Sequence, residues 1–214
     1  MKLLDKTVAA EIALKLLKIE AIRLQPENPF TWASGWKSPI YCDNRLSLSY
    51  PEVRTLIKDN LIKAIQTEFS EVEAIAGVAT AGIPQGAILA DALGLPFVYV
   101  RSKAKGHGME NMIEGKVTPG QKVVVVEDLV STGGSSLKAA RDLKDAGFEV
   151  LGMVAIFTYG FDVASHNFQE AGIDLVCLSN YSSLLPQALA KDYIDDETLA
   201  SLVEWRKDPS TWGK

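Results

Sequence analysis

The residues best suited to chemistry lie in Val123–Ser136, which reads VVVVEDLVSTGGSS. Four β-branched residues run into two adjacent carboxylates, Glu127 and Asp128. After Leu129 and Val130 come Ser131, Thr132, Gly133, Gly134, Ser135 and Ser136. The pattern reads as a buried strand, an acidic pair at its carboxyl end, a small-residue turn and a helix start. In open α/β sheets ligands bind at that place. Small residues let backbone N–H groups close around an anion, and the helix start adds partial positive charge. Two neighbouring acids behind a run of valines cost stability, because desolvation and mutual repulsion both oppose their charge. Vicinal ribose hydroxyls suit such a pair, since carboxylates accept hydrogen bonds from a diol. A phosphate on the adjoining turn would complete a ribose-5-phosphate site. The Walker pattern GxxxxGK[ST] is absent, which disfavours a P-loop nucleotide hydrolase.

A second cluster lies in RSKAKGHG, where Arg101, Lys103, Lys105 and His107 fall close together. Such a charge run can be a solvated basic loop. However, the loop Arg101–Gly115 leaves the end of a strand in the same sheet, and long loops in compact domains tend to be lids. Arg and Lys clamp pyrophosphate oxygens, and His can donate a proton or hydrogen bond to them. A third segment, Phe30–Tyr50, carries aromatics with a Ser-Gly turn at Ser34-Gly35 and a Ser-Pro step at Ser38-Pro39. It reads as a hairpin or extended strands.

The elements that must position these residues follow from periodicity. Val8, Ile12, Leu16 and Ile19 mark one face of a helix over Thr7–Ile19. Ser49-x-x-Glu52, with Pro51 between, predicts a capped helix start, followed by an apolar stripe to Phe69. From Ala74 the rhythm alternates. Strands are expected at AIAGVA, Phe97–Val100, Val123–Val126, Leu151–Phe157 and Leu175–Leu178. Helices are expected from Pro84 to Leu93, over Ser135–Asp145 and over Asp162–Glu170. Between the first strand and its helix lies the turn Ala79-Thr80-Ala81-Gly82. This alternation predicts an α/β fold: an open, mainly parallel twisted sheet flanked by helices. The tail predicts one more helix over Asp196–Lys207, with acids first, bases last, and Pro209 as its stop. The expected organisation is a single domain over 1–214. An N-terminal helix and small hood occupy about 1–70, the α/β core about 71–180 and a helical tail about 181–214.

At 214 residues the chain can bury a substantial core. Its charge of −5 disfavours a general nucleic-acid surface. Cys42 and Cys177 have no metal-ligand spacing and are expected to pack as small apolar residues. The charged N-terminal stretch is neither a signal peptide nor a membrane span, so a cytoplasmic protein is the expectation.

VVVVEDLVSTGGSS closely resembles the phosphoribosyl-pyrophosphate motif of type I phosphoribosyltransferases. RSKAKGHG looks like the catalytic loop of the orotate phosphoribosyltransferase family. The pattern Phe-x-x-x-Ser-Gly-x-x-Ser-Pro-x-Tyr of that family appears as Phe30, Ser34, Gly35, Ser38, Pro39 and Tyr41. The resemblance implies Mg²⁺-dependent transfer of a phosphoribosyl group from phosphoribosyl pyrophosphate to orotate, giving orotidine 5′-phosphate and pyrophosphate in pyrimidine biosynthesis. It implies Arg101, Lys103, Lys105, His107 and Asp128 as catalytic residues. Glu127 and Asp128 through Leu129, Val130, Ser131, Thr132, Gly133, Gly134 and Ser135 would hold phosphoribosyl pyrophosphate, with Thr80 and Ala81 at the pyrophosphate. Ser131 would touch orotate. The metal would lean on substrate oxygens, so no protein ligand cluster is expected. The resemblance further implies a homodimer in which loop 101–115 completes the neighbouring site. Purine or uracil phosphoribosyltransferases, and a non-catalytic nucleotide sensor of the same fold, are the alternatives.

Departures from the family pattern concern the base. Ser102 follows Arg101 where some relatives have Lys, and Ala33 precedes the Ser-Gly turn where some have Lys. The turn Ala79–Gly82 carries no cation. The stretch IFTYGFD carries no Arg, so the orotate carboxylate must be held elsewhere. Ser131, Lys37 and backbone amides near Ser34–Pro39 are the candidates.

Overall fold

The switch from helical to alternating periodicity near Ala74 is realised in the computed structural model, which describes residues 1–32, 35–102 and 112–212. The chain runs β1 (Lys2–Leu3), α1 (Lys6–Lys18), β2 (Ile22–Leu24), β3 (Phe30–Thr31), β4 (Lys37–Ser38) and β5 (Ile40–Cys42). A 3-10 turn (Asn44–Ser49) leads to α2 (Pro51–Glu68), β6 (Ala74–Val78), α3 (Gly82–Leu93), β7 (Phe97–Val100) and β8 (Ile113–Glu114). Then come β9 (Lys122–Val130), α4 (Gly134–Asp145), β10 (Glu149–Thr158), α5 (Asp162–Glu170), β11 (Leu175–Asn180), α6 (Tyr181–Ala190) and α7 (Asp196–Lys207).

Seven strands form one sheet in the order β1-β11-β10-β9-β6-β7-β8. All neighbours pair in parallel except β7 and β8. Helices cover both faces, which is why the central strands are apolar throughout rather than alternating. One cluster packs α1, α2, α6 and α7 residues, among them Leu16, Leu61, Leu184 and Trp205, against Val124, Val126 and Val154. The other packs Leu137 and Leu143 of α4 and Phe168 of α5 against Val123, Val125 and Met153.

Several expectations need correction. β9 does not stop at Val126: its pairing with β10 continues through Glu127↔Ala155 to Val130↔Thr158. The backbone ladder is indifferent to side-chain charge, so the acids sit on the strand itself. The loop 101–115 ends in β8, an antiparallel edge strand registered Tyr99↔Glu114. The tail holds two helices, because α6 runs through Pro186. A proline there removes one hydrogen bond but does not end a helix held by Tyr181, Leu184, Leu185 and Ala188 in the core. The capping box at Ser49–Glu52 does not form. Ser49 ends the 3-10 turn, Tyr50 takes the cap position, and no side chain bonds the first turn of α2.

The hood is smaller than the first 70 residues, because α1 and α2 belong to the main core. It consists of the pairs β2–β5 and β3–β4. The Arg23 guanidinium lies over the Phe30 and Tyr41 rings, 5.4 and 5.0 Å from their centroids. Trp205 Nε1 of α7 donates to the Lys37 carbonyl at 3.3 Å, tying hood to tail.

α3 starts hard against β9. A Cβ on Gly82 would sit 2.4 Å from the Val126 carbonyl oxygen, one residue before Glu127. Gly82→Ala is therefore expected to lower stability by ~1–3 kcal/mol in urea unfolding. Gly134→Ala, where a Cβ meets nothing within 4 Å, should change it little.

Candidate active site

At the carboxyl ends of β6 and β9 lies a cavity of about 310 Å³ lined by Val78–Ala81, Glu127–Leu129 and Ser135, with Cys42, Asp43 and Arg45 across from them. Glu127 is buried. Its Oε2 accepts from Ser136 Oγ at 2.9 Å and its Oε1 from the Asp128 N–H at 3.0 Å. Burial first, then the charge of Asp128, pushes the Glu127 carboxyl well above the usual carboxylate range. Burial also raises Asp128, while its contact with Glu127 and the Arg45 charge act the other way. The proton therefore favours Glu127 and the charge favours Asp128. Asn44 Nδ2 donates to the Asp128 carbonyl at 2.8 Å, bracing the strand end from the turn that follows the hood.

Helix starts complete the cavity. α1, α6 and α7 are capped by Asp5, Asn180 and Asp195. α2, α3, α4 and α5 have no side-chain cap, and of these the starts of α3 and α4 border the cavity. Uncapped first-turn N–H groups need an acceptor, and an anion fills that need while meeting the positive end of the helix. Gly133 takes φ +83° at the N-cap of α4, where a Cβ would strike the Phe168 ring. The Ala79–Thr80 peptide between β6 and α3 is cis. An acidic pair for a diol, one member buried and one half-buried, and two open helix starts for phosphate groups thus share one cavity.

Comparison with known proteins bears on that constellation. Residues 48–181 match the phosphoribosyl transferase domain. The chain belongs to the phosphoribosyltransferase family. It is similar to the orotate phosphoribosyltransferase of Cytophaga hutchinsonii, 63% identical over 95% of this chain and 98% of the relative. The enzyme of the same name from Porphyromonas gingivalis is 59% identical over 97% and 99%. Among solved structures, the orotate phosphoribosyltransferase of Aeropyrum pernix superposes with a TM-score of 0.74 at 31% identity, covering 82% of this chain and 97% of that one.

The phosphoribosyltransferase motif is distributed unevenly in space. Glu127, Asp128, Leu129 and Ser135 line the first cavity, as do Thr80 and Ala81. Val130 is fully buried, and its carbonyl accepts from Thr158 Oγ1 and the Tyr159 N–H, so it serves as a spacer. Thr132 faces a second cavity of about 500 Å³, together with Trp36, Gly160–Val163, Tyr181, Ser182, Leu185 and the end of α7. Asn167 Nδ2 holds the Thr132 carbonyl at 3.0 Å. Arg101 ion-pairs with Glu114 of β8 at 3.2 Å. Lys103, Lys105 and His107 lie outside the described residues, as does Ser34. Lys37 donates to Thr31 Oγ1 at 3.0 Å.

Arg45 escaped the sequence reading as a site residue. It chelates Asp43 through Nε and Nη2 at 2.6 and 2.8 Å and is the one cation among the described lining residues of the first cavity. Its only sequence signal is the stretch Cys42-Asp43-Asn44-Arg45 beside the hood; the 84-residue separation of Asn44 from Asp128 hides the rest. Cys42 lines the same cavity, and burial and Asp128 keep its thiol protonated. Among the described residues no group of three or more His, Cys, Asp or Glu side chains could hold a metal, and no helix is long and apolar enough to cross a membrane.

Because folding raises both carboxyls, the folded chain holds more protons than the unfolded one above the ordinary carboxylate range. Stability from this pair therefore falls as pH rises from that range toward the raised values. Glu127→Gln keeps the acceptor for the Asp128 N–H, and the Ser136 hydroxyl can turn to accept from the new amide. Its thermal midpoint should exceed that of the parent at about pH 8, by the equivalent of ~1 kcal/mol or more. The gap should close toward pH 4.5, the ordinary value for Glu.

Proposed function

We propose that this chain is an orotate phosphoribosyltransferase, joining orotate N1 to C1 of phosphoribosyl pyrophosphate and releasing pyrophosphate, with orotidine 5′-phosphate as product. The observation that carries this reading is the buried Glu127 next to the half-buried Asp128, beside two uncapped helix starts. The name borne by relatives 63% and 59% identical over nearly the full chain supports orotate as acceptor.

The C1–oxygen bond to pyrophosphate breaks as the bond to N1 forms, positive charge builds on the ribose ring, and the N1 proton passes to the departing pyrophosphate or to solvent. Asp128, whose charge is favoured over that of Glu127, holds a ribose hydroxyl and stabilises that charge. Glu127 holds the neighbouring hydroxyl. Amides of Ser131–Ser135 at the α4 start receive the 5-phosphate, and the Thr80–Ala81 turn receives the pyrophosphate. Arg101, Lys103, Lys105 and His107 neutralise the departing pyrophosphate and exclude water that would otherwise hydrolyse the activated sugar. Mg²⁺ fits the oxygen-rich first cavity, since it retains waters, takes few protein carboxylates and binds substrate phosphates. Asp128 would hold it through water, and its charge would further neutralise the pyrophosphate. A cytoplasmic homodimer, in which loop 101–115 reaches the neighbouring site, is part of the same reading.

Product formation from phosphoribosyl pyrophosphate with orotate, uracil, adenine and hypoxanthine tests the acceptor. Turnover of orotate alone is expected, and use of another base without orotate overturns the reading. Asp128→Asn should lower kcat by about 10²–10³-fold, as loss of one preorganised electrostatic group does.

The dimer is tested by mixing two inactive variants, Asp128→Ala and Lys105→Ala, under conditions that exchange subunits. Each mixed dimer then contains one intact site, so up to about a quarter of parental activity should return. No recovery means that the loop acts within its own subunit.

A further inference from the structure

Orotate carries a carboxylate that uracil lacks, and no cation follows β10 to meet it. Tyr159 there is buried among Trp32, Phe157, Phe161 and Trp205, with ring centroids 5.2–6.0 Å apart. We propose that Arg206, at the end of α7, is the specificity-determining residue that binds the acceptor's carboxylate in the cavity of about 500 Å³ bordered by Thr132 and Trp36. This assignment rests on the orotate reading and deepens it.

Three observations carry it. The first is position. Thr132 belongs to the turn proposed for the 5-phosphate, so this cavity, whose volume lies in the range of ligand pockets, adjoins the proposed phosphoribosyl site. The second is charge. Arg206 Nη1 donates to Ser182 Oγ, and no carboxylate lies within ion-pair distance of its guanidinium among the described residues. Lys207, the other cation of the lining, is committed to Glu204 at 2.6 Å. Asp162, at the first position of α5, is the one carboxylate among the described lining residues, and it lies beyond ion-pair distance of the guanidinium. The third is rigidity. Trp205, the preceding residue, is fully buried, packs edge-on to Trp32 and Tyr159, and bonds the hood. Tyr181 Oη donates to the Leu202 carbonyl at 3.0 Å, fixing α7 to α6. These contacts hold the α7 backbone at Arg206, and the bond to Ser182 Oγ orients a guanidinium whose parallel N–H donors match a carboxylate.

The test compares orotidine 5′-phosphate with uridine 5′-monophosphate, which differ only in the carboxylate, in calorimetric binding to the parent protein, Arg206→Gln and Arg206→Lys. Arg206→Gln is expected to weaken orotidine 5′-phosphate by about 10- to 100-fold while uridine 5′-monophosphate changes less than about twofold. KM for orotate should rise in parallel with KM for phosphoribosyl pyrophosphate unchanged, and Arg206→Lys should recover part of the loss. Equal weakening of both nucleotides, or an unchanged preference for orotidine 5′-phosphate, overturns the assignment. Parental protein that turns over another base but not orotate overturns the function reading, and this assignment with it. Parental protein that uses orotate beside an unaffected Arg206→Gln overturns the role of Arg206 alone.

Discussion

The burial of one carboxyl group beside another is the constraint to which the surrounding structure answers. Glu127 lies within β9, directly after four valines that are fully buried. A charge there is opposed by desolvation and by its neighbour. The fold does not remove that cost but contains it: Ser136 and the Asp128 amide satisfy both Glu127 oxygens, and Asn44 holds the strand from outside the sheet. The result is a Glu127 carboxyl whose protonated form is favoured by burial and by the Asp128 charge, and whose oxygens stand ready for the hydroxyls of a ribose diol. Stability is spent where transition-state charge must later be met.

The close approach of α3 to β9 belongs to the same arrangement. Gly82 lets α3 meet β9, and Gly77 and Gly86 let it meet β6, without Cβ atoms between them, so the α3 start stands beside the acidic pair. The α4 start arrives on the other side through the left-handed Gly133. Two open helix ends then face an acidic centre, which suits a substrate that is phosphorylated at both ends and carries hydroxyls between.

Around the neighbouring cavity the principle is different. Trp32, Tyr159, Phe161, Tyr181 and Trp205 form a continuous aromatic cluster joining hood, β10, α6 and α7. Trp205 supplies both packing and a hydrogen bond to the Lys37 carbonyl. Tail and hood, far apart in sequence, are thereby held as one wall, and polar groups at its rim are oriented by a hydrophobic body rather than by each other.

The sequence by itself determined the motif, the alternation of the strands and helices from Ala74 to Leu178 apart from the short edge strand β8, and the reaction class, because these depend on local periodicity and on residues within one strand–turn–helix unit. It read α5 and α7 to their ends, since Asp162 and Asp196 begin and Glu170 and Lys207 end segments with clear local signals. Tertiary structure decided what local pattern could not. Backbone pairing with β10 carried β9 through its charged residues, and core packing carried α6 through Pro186. It also brought Arg45 to one cavity and Arg206 to the other. An isolated arginine has no periodicity to betray its destination, and only the closure of hood and tail over the sheet brings either guanidinium to a site.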